Sequence, residues 1–413
     1  MPKDSKQSAL LPAGIGDALP PEAAHEAQVL EQVMGIFDSY GYDRIKPPLI
    51  EFEESLISGM GTAVTHQTFR LMDPVSQRMM GLRADMTPQA ARIAATRLVN
   101  APRPLRLSYD GQVVRVRGSQ LRPERQFTQV GAELIGAPAP AGDAEVIAMA
   151  AEALSVLGIA GGIAGGIAGG IAGGIKGLSI DLGMPTLVPA VCPAASENSA
   201  AGRRLREALD RKDVATVKAL ADDIGAGVAA TLAVMLTAAG EAEKTLERLA
   251  ALDLGPAGAH ERDALADTVA AISARAPELA LTIDPVENRG FEYHTGATFA
   301  FFASNVRGEL GRGGRYQAAD AGTDCAATGF TLFMDTVMRA LPAYAAAPRV
   351  YLPKQLGFTV AQALRAKGWI VVEALSDTDH DETGHETEAR RMNCTHLAIA
   401  DGVREIQIKN GDT

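Results

Sequence analysis

Arg115, Arg117, Arg122 and Arg125 fall within one short stretch, QVVRVRGSQLRPERQF (residues 112–127), of a chain that is acidic overall. Arginines grouped in this way can hold phosphate or carboxylate oxygens through charge-assisted, often bidentate hydrogen bonds. A solvated charged loop accounts for Arg122 and Arg125 equally well. A second group mixes carboxylates with polar and aromatic side chains: Asp85 and Thr87 in RADMTP, Gln129 and Glu133 in QVGAE, and Arg289, Tyr293 and His294 in ENRGFEYHTG. Gln129 and Glu133 are four apart in a run that reads as a strand, so both point to one side of it. Taken singly, Asp85 fits a helix cap, the Gln129/Glu133 pair a solvated strand face, and Arg289 a surface ion pair.

The elements that must position these residues are legible in outline. The chain has 413 residues, more than a single core of about 250–300 residues usually serves, so two or three domains are expected. A helix is predicted over residues 21–40, then a short strand in YDRIKPPLIE broken by Pro47 and Pro48. QTFRLMDPVSQRMMGLRADMTPQ predicts two strands around a turn at Asp73-Pro74, followed by a helix with Thr87 and Pro88 in its first turn. RLSYDGQVVRVRG and RQFTQVGAELIG predict a long antiparallel hairpin, and AGDAEVIAMAAEALSVLG a helix.

Four copies of IAGG occupy residues 159–174; the run is too Gly-rich for a stable helix and reads as a surface loop. It ends without the Lys-Ser/Thr pair of a phosphate-cradling loop. Residues 195–275, Ala/Leu-rich with charges on alternate faces, predict a helical insertion. Strands resume over 276–342, and a Pro/Ala joint precedes residues 348–413, which alternate strand and helix as a small α/β domain does.

Net charge is −11, from 39 basic and 50 acidic side chains, which argues against clamping an extended nucleic acid. The tail run EALSDTDHDETGHETE concentrates Glu373, Asp377, Asp379, Asp381, Glu382, Glu386 and Glu388 and would repel a phosphate backbone. His380 and His385 lie in that run, which reads as a solvated loop rather than a metal site. Cys192, Cys325 and Cys394 are far apart and suggest neither disulfides nor zinc. No metal or cofactor is expected. The first twenty residues lack an apolar signal core and no stretch is a convincing membrane span, which places the chain in the cytoplasm.

The order of these pieces, over roughly residues 10–340, resembles a class II aminoacyl-tRNA synthetase core, specifically the histidyl-tRNA synthetase family. PPLIE is similar to that family's first class motif, a strand at the dimer interface. VVRVRGSQLRPERQFTQVGAELIG resembles the second, a hairpin over ATP. ENRGFEYHTGATF resembles the histidine-specific signature, GRGGRYQ the strand that follows it, and ATGFTLFMDTVMR stands where the third motif belongs. The resemblance implies an α+β fold: an antiparallel sheet flanked by helices over 1–194 and 276–342, with the helical insertion and the small C-terminal α/β domain. It further implies a histidine pocket in which Asp85 and Thr87 face the amino group, Gln129 and Glu133 reach the ligand, and Arg289 and Tyr293 close the site, with Arg115 and His294 counted among its ligand-binding residues. His294 stands where the family usually has a second tyrosine.

The nucleotide half departs from the family. Arg115 matches the arginine that holds the α-phosphate, but Arg117 replaces the glutamate that accepts from adenine, and a cation cannot accept a hydrogen bond. Phe333 stands where glycine is usual, and Asp335 and Thr336 replace a Glu-Arg pair whose arginine stacks on adenine. Adenylate formation is therefore expected to be lost. Such a body with an acidic tail resembles the family of ATP phosphoribosyltransferase regulatory subunits. That resemblance implies no catalysis, a short-form catalytic subunit as partner, histidine as effector, a homodimer within a hetero-oligomer, and no tRNA. Two alternatives stay open on sequence alone: a divergent but active histidyl-tRNA synthetase, and a free-standing histidine-binding or RNA-associated adaptor without an enzyme partner, the RNA version being weakened by the acidic balance.

Overall fold

The computed structural model describes residues 11–57, 66–118, 122–161, 175–287, 293–320, 323–342, 344, 347–375 and 382–406. The chain divides into two compact units, Met1–Pro342 and Ala343–Thr413.

Helix α1 (Glu22–Ser39) forms where apolar residues recur at helical spacing: Val29, Val33 and Phe37 are four apart, Met34 lies beside them, and all four are buried. Strand β1 (Asp43–Arg44) follows. Pro47 and Pro48 then interrupt the extended chain before β2 (Ile50–Phe52) and the short helix α2 (Glu53–Ile57). Strands β3 (Phe69–Met72) and β4 (Met79–Leu82) flank a turn in which the Asp73 carboxylate accepts from the amides of Val75 and Ser76, both at 3.1 Å. With β2 they form a three-stranded antiparallel sheet, β2-β4-β3. Helix α3 (Thr87–Thr96) starts at Thr87 with Pro88 in its first turn, as the sequence predicts.

The long hairpin is β5 (Leu105–Val114) and β6 (Gln126–Ile135). Helix α4 (Ala141–Val156), β7 (Ile159–Gly161) and β8 (Ile175–Gly183) follow. Ile159–Gly161, the opening of the IAGG repeat, pairs in parallel with β8, so the repeat begins in a strand and not in the expected loop; Ile159 is fully buried and supplies the reason. Residues 162–174 lie outside the described residues.

Helices α5 (Leu187–Val191), α6 (Ala200–Asp210), α7 (Val214–Ala219), α8 (Ala221–Ile224) and α9 (Ala226–Ala238) come next. A two-residue strand, β9 (Gly240–Glu241), separates them from α10 (Ala242–Ala250) and α11 (Gly255–Arg275). The helical stretch thus begins before residue 195 and carries one edge strand. Strands β10 (Ala280–Ile283), β11 (His294–Ala303), β12 (Gly311–Asp320) and β13 (Thr323–Phe333) lead to α12 (Met334–Ala340).

Among the described residues the main sheet runs β1-β5-β6-β13-β12-β11-β8-β10-β9, with β7 beside β8. It is antiparallel from β5 through β8, whereas β1 runs parallel to β5 and both β7 and β10 run parallel to β8; the edge strand β9 is antiparallel to β10. This is the class II synthetase-like α+β fold that the motif order implies. Alternation along the central strands gives the sheet two different faces. Val130, Ala132, Leu134, Phe299, Phe301, Phe330 and Leu332 enter the main core with residues of α1 and α4. Phe330 meets Phe37 and Phe301 edge to face, at 5.4 and 6.3 Å between ring centroids. Burying each such ring contributes about 1.5–3 kcal/mol. Ala148, Ala150, Ala151 and Ala153 keep α4 thin enough to be buried along most of its length. Its start is fixed by Arg315 of β12, which donates to Asp143 Oδ2 and the Ala137 carbonyl, each at 3.1 Å.

The second unit is a sheet ordered β15-β14-β16-β17, built from β14 (Arg349–Leu352), β15 (Ile370–Glu373), β16 (His396–Ile399) and β17 (Gly402–Glu405). Helices α13 (Gly357–Ala366) and α14 (Glu382–Arg391) complete it. The second half of the acidic run is thus α14, not a loop. Its charges are compensated locally: Glu386 pairs with Arg390 at 3.0 Å and Arg404 at 2.7 Å, and Glu388 with Arg391 at 2.5 Å. His385 lies beside Tyr351, and His380 is outside the described residues. Among the described residues no group of three His, Cys, Asp or Glu side chains could hold a metal, the three cysteines are free thiols, and no helix is long and apolar enough to cross a membrane.

Candidate functional site

The polar face of the main sheet carries the site, and strand register explains how residues far apart in sequence meet there. Residues paired across strands share a face. One such row runs Glu133, Gly329, Gly314, Thr298, Gly183 across β6, β13, β12, β11 and β8. The next runs Gly131, Thr331, Arg312, Ala300, Asp181. Glycines therefore form much of the floor, and the missing side chains leave a cavity of about 970 Å3. The floor tolerates nothing larger at two points. A Cβ on Gly329 would sit 1.8 Å from Glu133 Oε2, and one on Gly314 would sit 2.6 Å from the His294 ring.

At one end the cavity is lined by Asp85, Thr87, Glu133, Tyr293, His294 and Tyr316. Asp85 is oriented from two sides: its Oδ1 accepts from the Thr87 amide and from Gln129 Nε2, both at 3.0 Å. The helix-start reading of Asp85 and its site reading are therefore compatible, because Oδ2 has no hydrogen-bonding partner among the described residues and stays available to a ligand cation. Gln129 also donates to Thr331 Oγ1 at 2.9 Å and accepts from the Met86 amide at 2.9 Å. Fully buried, it does not line the cavity, so the expectation that it reaches a ligand directly gives way to a positioning role behind Asp85.

Glu133 is 1% exposed, far from a solvated strand face. Tyr109 OH donates to its Oε1 at 2.9 Å and Tyr316 OH to its Oε2 at 2.8 Å, and Thr87 Oγ1 lies 3.1 Å from Tyr109 OH. Burial pushes the Glu133 carboxyl up to about 8, although these hydrogen bonds oppose the rise. Burial, reinforced by Glu133, also holds the Tyr109, Tyr293 and Tyr316 phenols well above their usual range. Glu133 is thus largely protonated at neutral pH and can donate to a neutral ring nitrogen. Tyr293 stacks on Tyr316, with ring centroids 5.1 Å apart and planes 19° apart, and His294 meets Tyr293 edge-on at 5.1 Å. The end of the cavity thus offers an acceptor for an ammonium group and a polar-tipped aromatic wall for a small heteroaromatic ring. Arg289 lies outside the described residues.

At the other end two aromatic rings meet. Phe333 is 1% exposed and packs with Met86, Tyr109, Val113 and Phe127, edge-on to Phe127 at 6.1 Å. Arg122 stacks on Phe333 with its Cζ 3.6 Å from the ring centroid, and Arg115 lies 5.0 Å from Phe127. Burial, followed by repulsion from Arg115, lowers Arg122 to about 10. Thr336 is fully buried and accepts from Arg339 Nη2 at 3.1 Å. Arg339 also pairs with Glu124 at 3.1 Å and Asp335 at 3.6 Å. Arg117 is exposed, its amide donating to Gln67 Oε1 at 3.3 Å. Arg125 is structural: it donates to the carbonyls of Arg115 and Ala13 and lies over Phe69.

Sequence reasoning missed Tyr109, Tyr316, Thr331 and Arg312. For the tyrosines a signal existed, since an acid inside the otherwise apolar strand QFTQVGAELI demands buried donors.

A family model described as histidyl-tRNA synthetase matches residues 14–337. A curated protein of Paramagnetospirillum magneticum, named ATP phosphoribosyltransferase regulatory subunit, is 52% identical over 98% of this chain and 100% of its own length. Proteins of the same name from Rhodospirillum centenum and Burkholderia cenocepacia are 49% and 33% identical, over 98% and 90% of this chain and 98% and 93% of their own lengths. Among solved structures, an ATP phosphoribosyltransferase regulatory subunit/histidyl-tRNA synthetase from Bacillus halodurans superposes with a TM-score of 0.76 at 23% identity, covering 94% of this chain and 97% of that one. A histidyl-tRNA synthetase from Nostoc sp. PCC 7120 does so with a TM-score of 0.76 at 17% identity, covering 95% of this chain and 91% of that one. At such identities the structures speak for the fold alone.

Proposed function

Because the chain belongs to the family of ATP phosphoribosyltransferase regulatory subunits, on a histidyl-tRNA synthetase fold, we propose that it does no chemistry itself and controls a separate catalytic subunit in histidine biosynthesis. The partner is a short-form ATP phosphoribosyltransferase subunit, which condenses ATP with phosphoribosyl pyrophosphate in the first step. This chain activates that subunit and carries inhibition by histidine to it. Histidine is the effector and is held in the cavity, its ammonium group by Asp85 and Thr87 and its imidazole by Glu133, Tyr293 and His294. Gln129 orients Asp85, and Arg289 closes the site as the resemblance implies. The assembly is a cytoplasmic hetero-oligomer containing a homodimer formed through the class II core, and it uses no tRNA.

One observation carries this reading: the two ends of the cavity have different fates. The amino-imidazole end keeps a satisfied network with one carboxylate oxygen to offer, whereas the nucleotide end is filled by Phe333 with Arg122 stacked on it. A stacking arginine at residue 336 is replaced by a buried threonine, and Arg117 cannot accept from an adenine amino group. Adenylate formation is therefore lost. Control of the partner is a coupling free energy between two sites, usually about 1–3 kcal/mol, and it is reciprocal for binding.

The test is the rate of phosphoribosyl transfer by a purified short-form catalytic subunit, with and without this chain, across a histidine titration. The chain should raise the rate and histidine should lower it again. Asp85→Ala should shift the inhibition curve at least about tenfold, since a hydrogen bond to a charged group is worth about 1.5–3 kcal/mol. An unchanged rate, together with histidine-dependent exchange of pyrophosphate into ATP, would instead establish an active synthetase.

A further inference from the structure

The two halves of the amino-imidazole end are joined behind its wall. Tyr109 is fully buried and does not line the cavity, so it does not touch a ligand held there. Arg115, expected among the ligand-binding residues, does not line the cavity either; its Nε donates to the Ala84 carbonyl at 3.3 Å. The Tyr109 hydroxyl stands between the two subsites. On the ring side it donates to Glu133 Oε1 at 2.9 Å, and on the ammonium side it lies 3.1 Å from Thr87 Oγ1. Its place is fixed from two sides. Met86, Val113, Phe127 and Phe333 pack with the ring. Gly131 of β6, paired with Tyr109 in register, makes room for it: a Cβ there would sit 2.6 Å from the phenol oxygen and 2.7 Å from Cε2.

A hydroxyl carries one proton, so a chain of hydroxyls has a direction. Because Tyr109 gives its proton to Glu133, Thr87 gives its own to Tyr109. The Thr87 oxygen, which lines the cavity, is then left with lone pairs only, and these suit an ammonium group. With the chain reversed, the Thr87 proton would point at the ammonium group and oppose it. On the ring side both Glu133 oxygens accept from phenols, those of Tyr109 and Tyr316, so the carboxyl proton is left for a ring nitrogen. A ligand nitrogen that accepts this proton keeps Glu133 the acceptor for Tyr109. It thereby keeps Thr87 an acceptor for the ammonium group.

We propose that Tyr109 is a positioning residue that couples the two subsites, so that the pocket favours a ligand carrying an ammonium group and an accepting ring nitrogen together over ligands carrying either one alone. The proposal rests on the histidine reading above and adds a source for its selectivity. Networks of this kind are worth more than the sum of their pairs, and a double-mutant cycle isolates the excess.

Calorimetry on the full chain measures that excess with three ligands: histidine, imidazolepropionate, which lacks the ammonium group, and phenylalanine, which lacks the ring nitrogens. Tyr109→Phe keeps the buried ring and removes the hydroxyl. It should weaken histidine by about tenfold, within the range of coupling between linked sites, and each of the other two by less than about threefold. Thr87→Ser keeps the second hydroxyl and should leave the order of the three affinities as it is. In a Thr87→Val background the chain is already cut, so Tyr109→Phe should weaken histidine and imidazolepropionate by the same factor. A merely structural role for Tyr109 would lower all three affinities by one common factor in the otherwise wild-type chain, and that result, or an unchanged affinity for histidine, would overturn the proposal alone. Absence of histidine binding to the wild type would overturn the histidine reading and this proposal with it.

Discussion

Glu133 joins a buried position to two phenol donors, and its raised folded-state pKa has a consequence for stability. A carboxyl whose folded pKa lies above its unfolded value near 4.5 holds its proton better when folded. Its contribution is complete below about pH 4.5 and is lost as pH rises through about 8. The melting temperature of the wild type, relative to Glu133→Gln, should therefore fall between pH 5 and pH 9. The loss should amount to a few kcal/mol of unfolding free energy, since each unit of displacement is worth about 1.4 kcal/mol. A pH-independent difference between the two proteins would mean that Glu133 titrates as an ordinary acid. At this scale the sequence was informative where residue type alone constrains chemistry. Asp85 and Glu133 stand out because an acid next to a helix start, or inside an apolar strand, needs an explanation. It misjudged Gln129, because whether an amide faces a ligand or a neighbouring carboxylate depends on packing that spacing does not encode.

Strands β5, β6, β12 and β13 place the site by register, and register between strands separated by some two hundred residues is invisible in a sequence. Glu133 pairs with Gly329, and Gly131 with Thr331, only because the hairpin β12–β13 docks on β6 in one of several possible alignments. Arg312 escaped attention for this reason, although the alternation that makes β6 and β13 strands was plain. The glycine rows give a prediction at the same scale. Gly329→Ala would drive a methyl group into the Glu133 carboxylate, and the Ala132 carbonyl at 2.7 Å on the other side leaves no room to yield. Histidine binding should weaken by more than tenfold and stability should drop by about 1–3 kcal/mol. Adding Glu133→Ala should recover part of the stability but none of the binding. Strict additivity of the two stability losses would show that the clash is not with Glu133.

In the whole molecule, every described residue assigned to the effector site belongs to the first compact unit. A protein ending at Pro342 should therefore bind histidine with the affinity of the full chain, within about threefold as judged by calorimetry, if the unit folds with a cooperative melt. A well-folded truncation that fails to bind would place part of the site in the second unit. The fold class was legible because motif order survives divergence. The strand at the start of the IAGG repeat was not, since a buried isoleucine and a parallel partner override a composition that favours coil.

Phe333 has a further meaning for the history of the chain. Its ring is part of the packing of Met86, Tyr109, Val113 and Phe127, so restoring glycine there would open a void and cost about 3–5 kcal/mol. A lineage that drifted toward nucleotide chemistry would have to cross that valley before an arginine at residue 336 or a glutamate at residue 117 brought any benefit. Any change of this chain that needs glycine at residue 333 therefore meets a loss of stability first, and Phe333→Gly should show it as a lowered melting temperature.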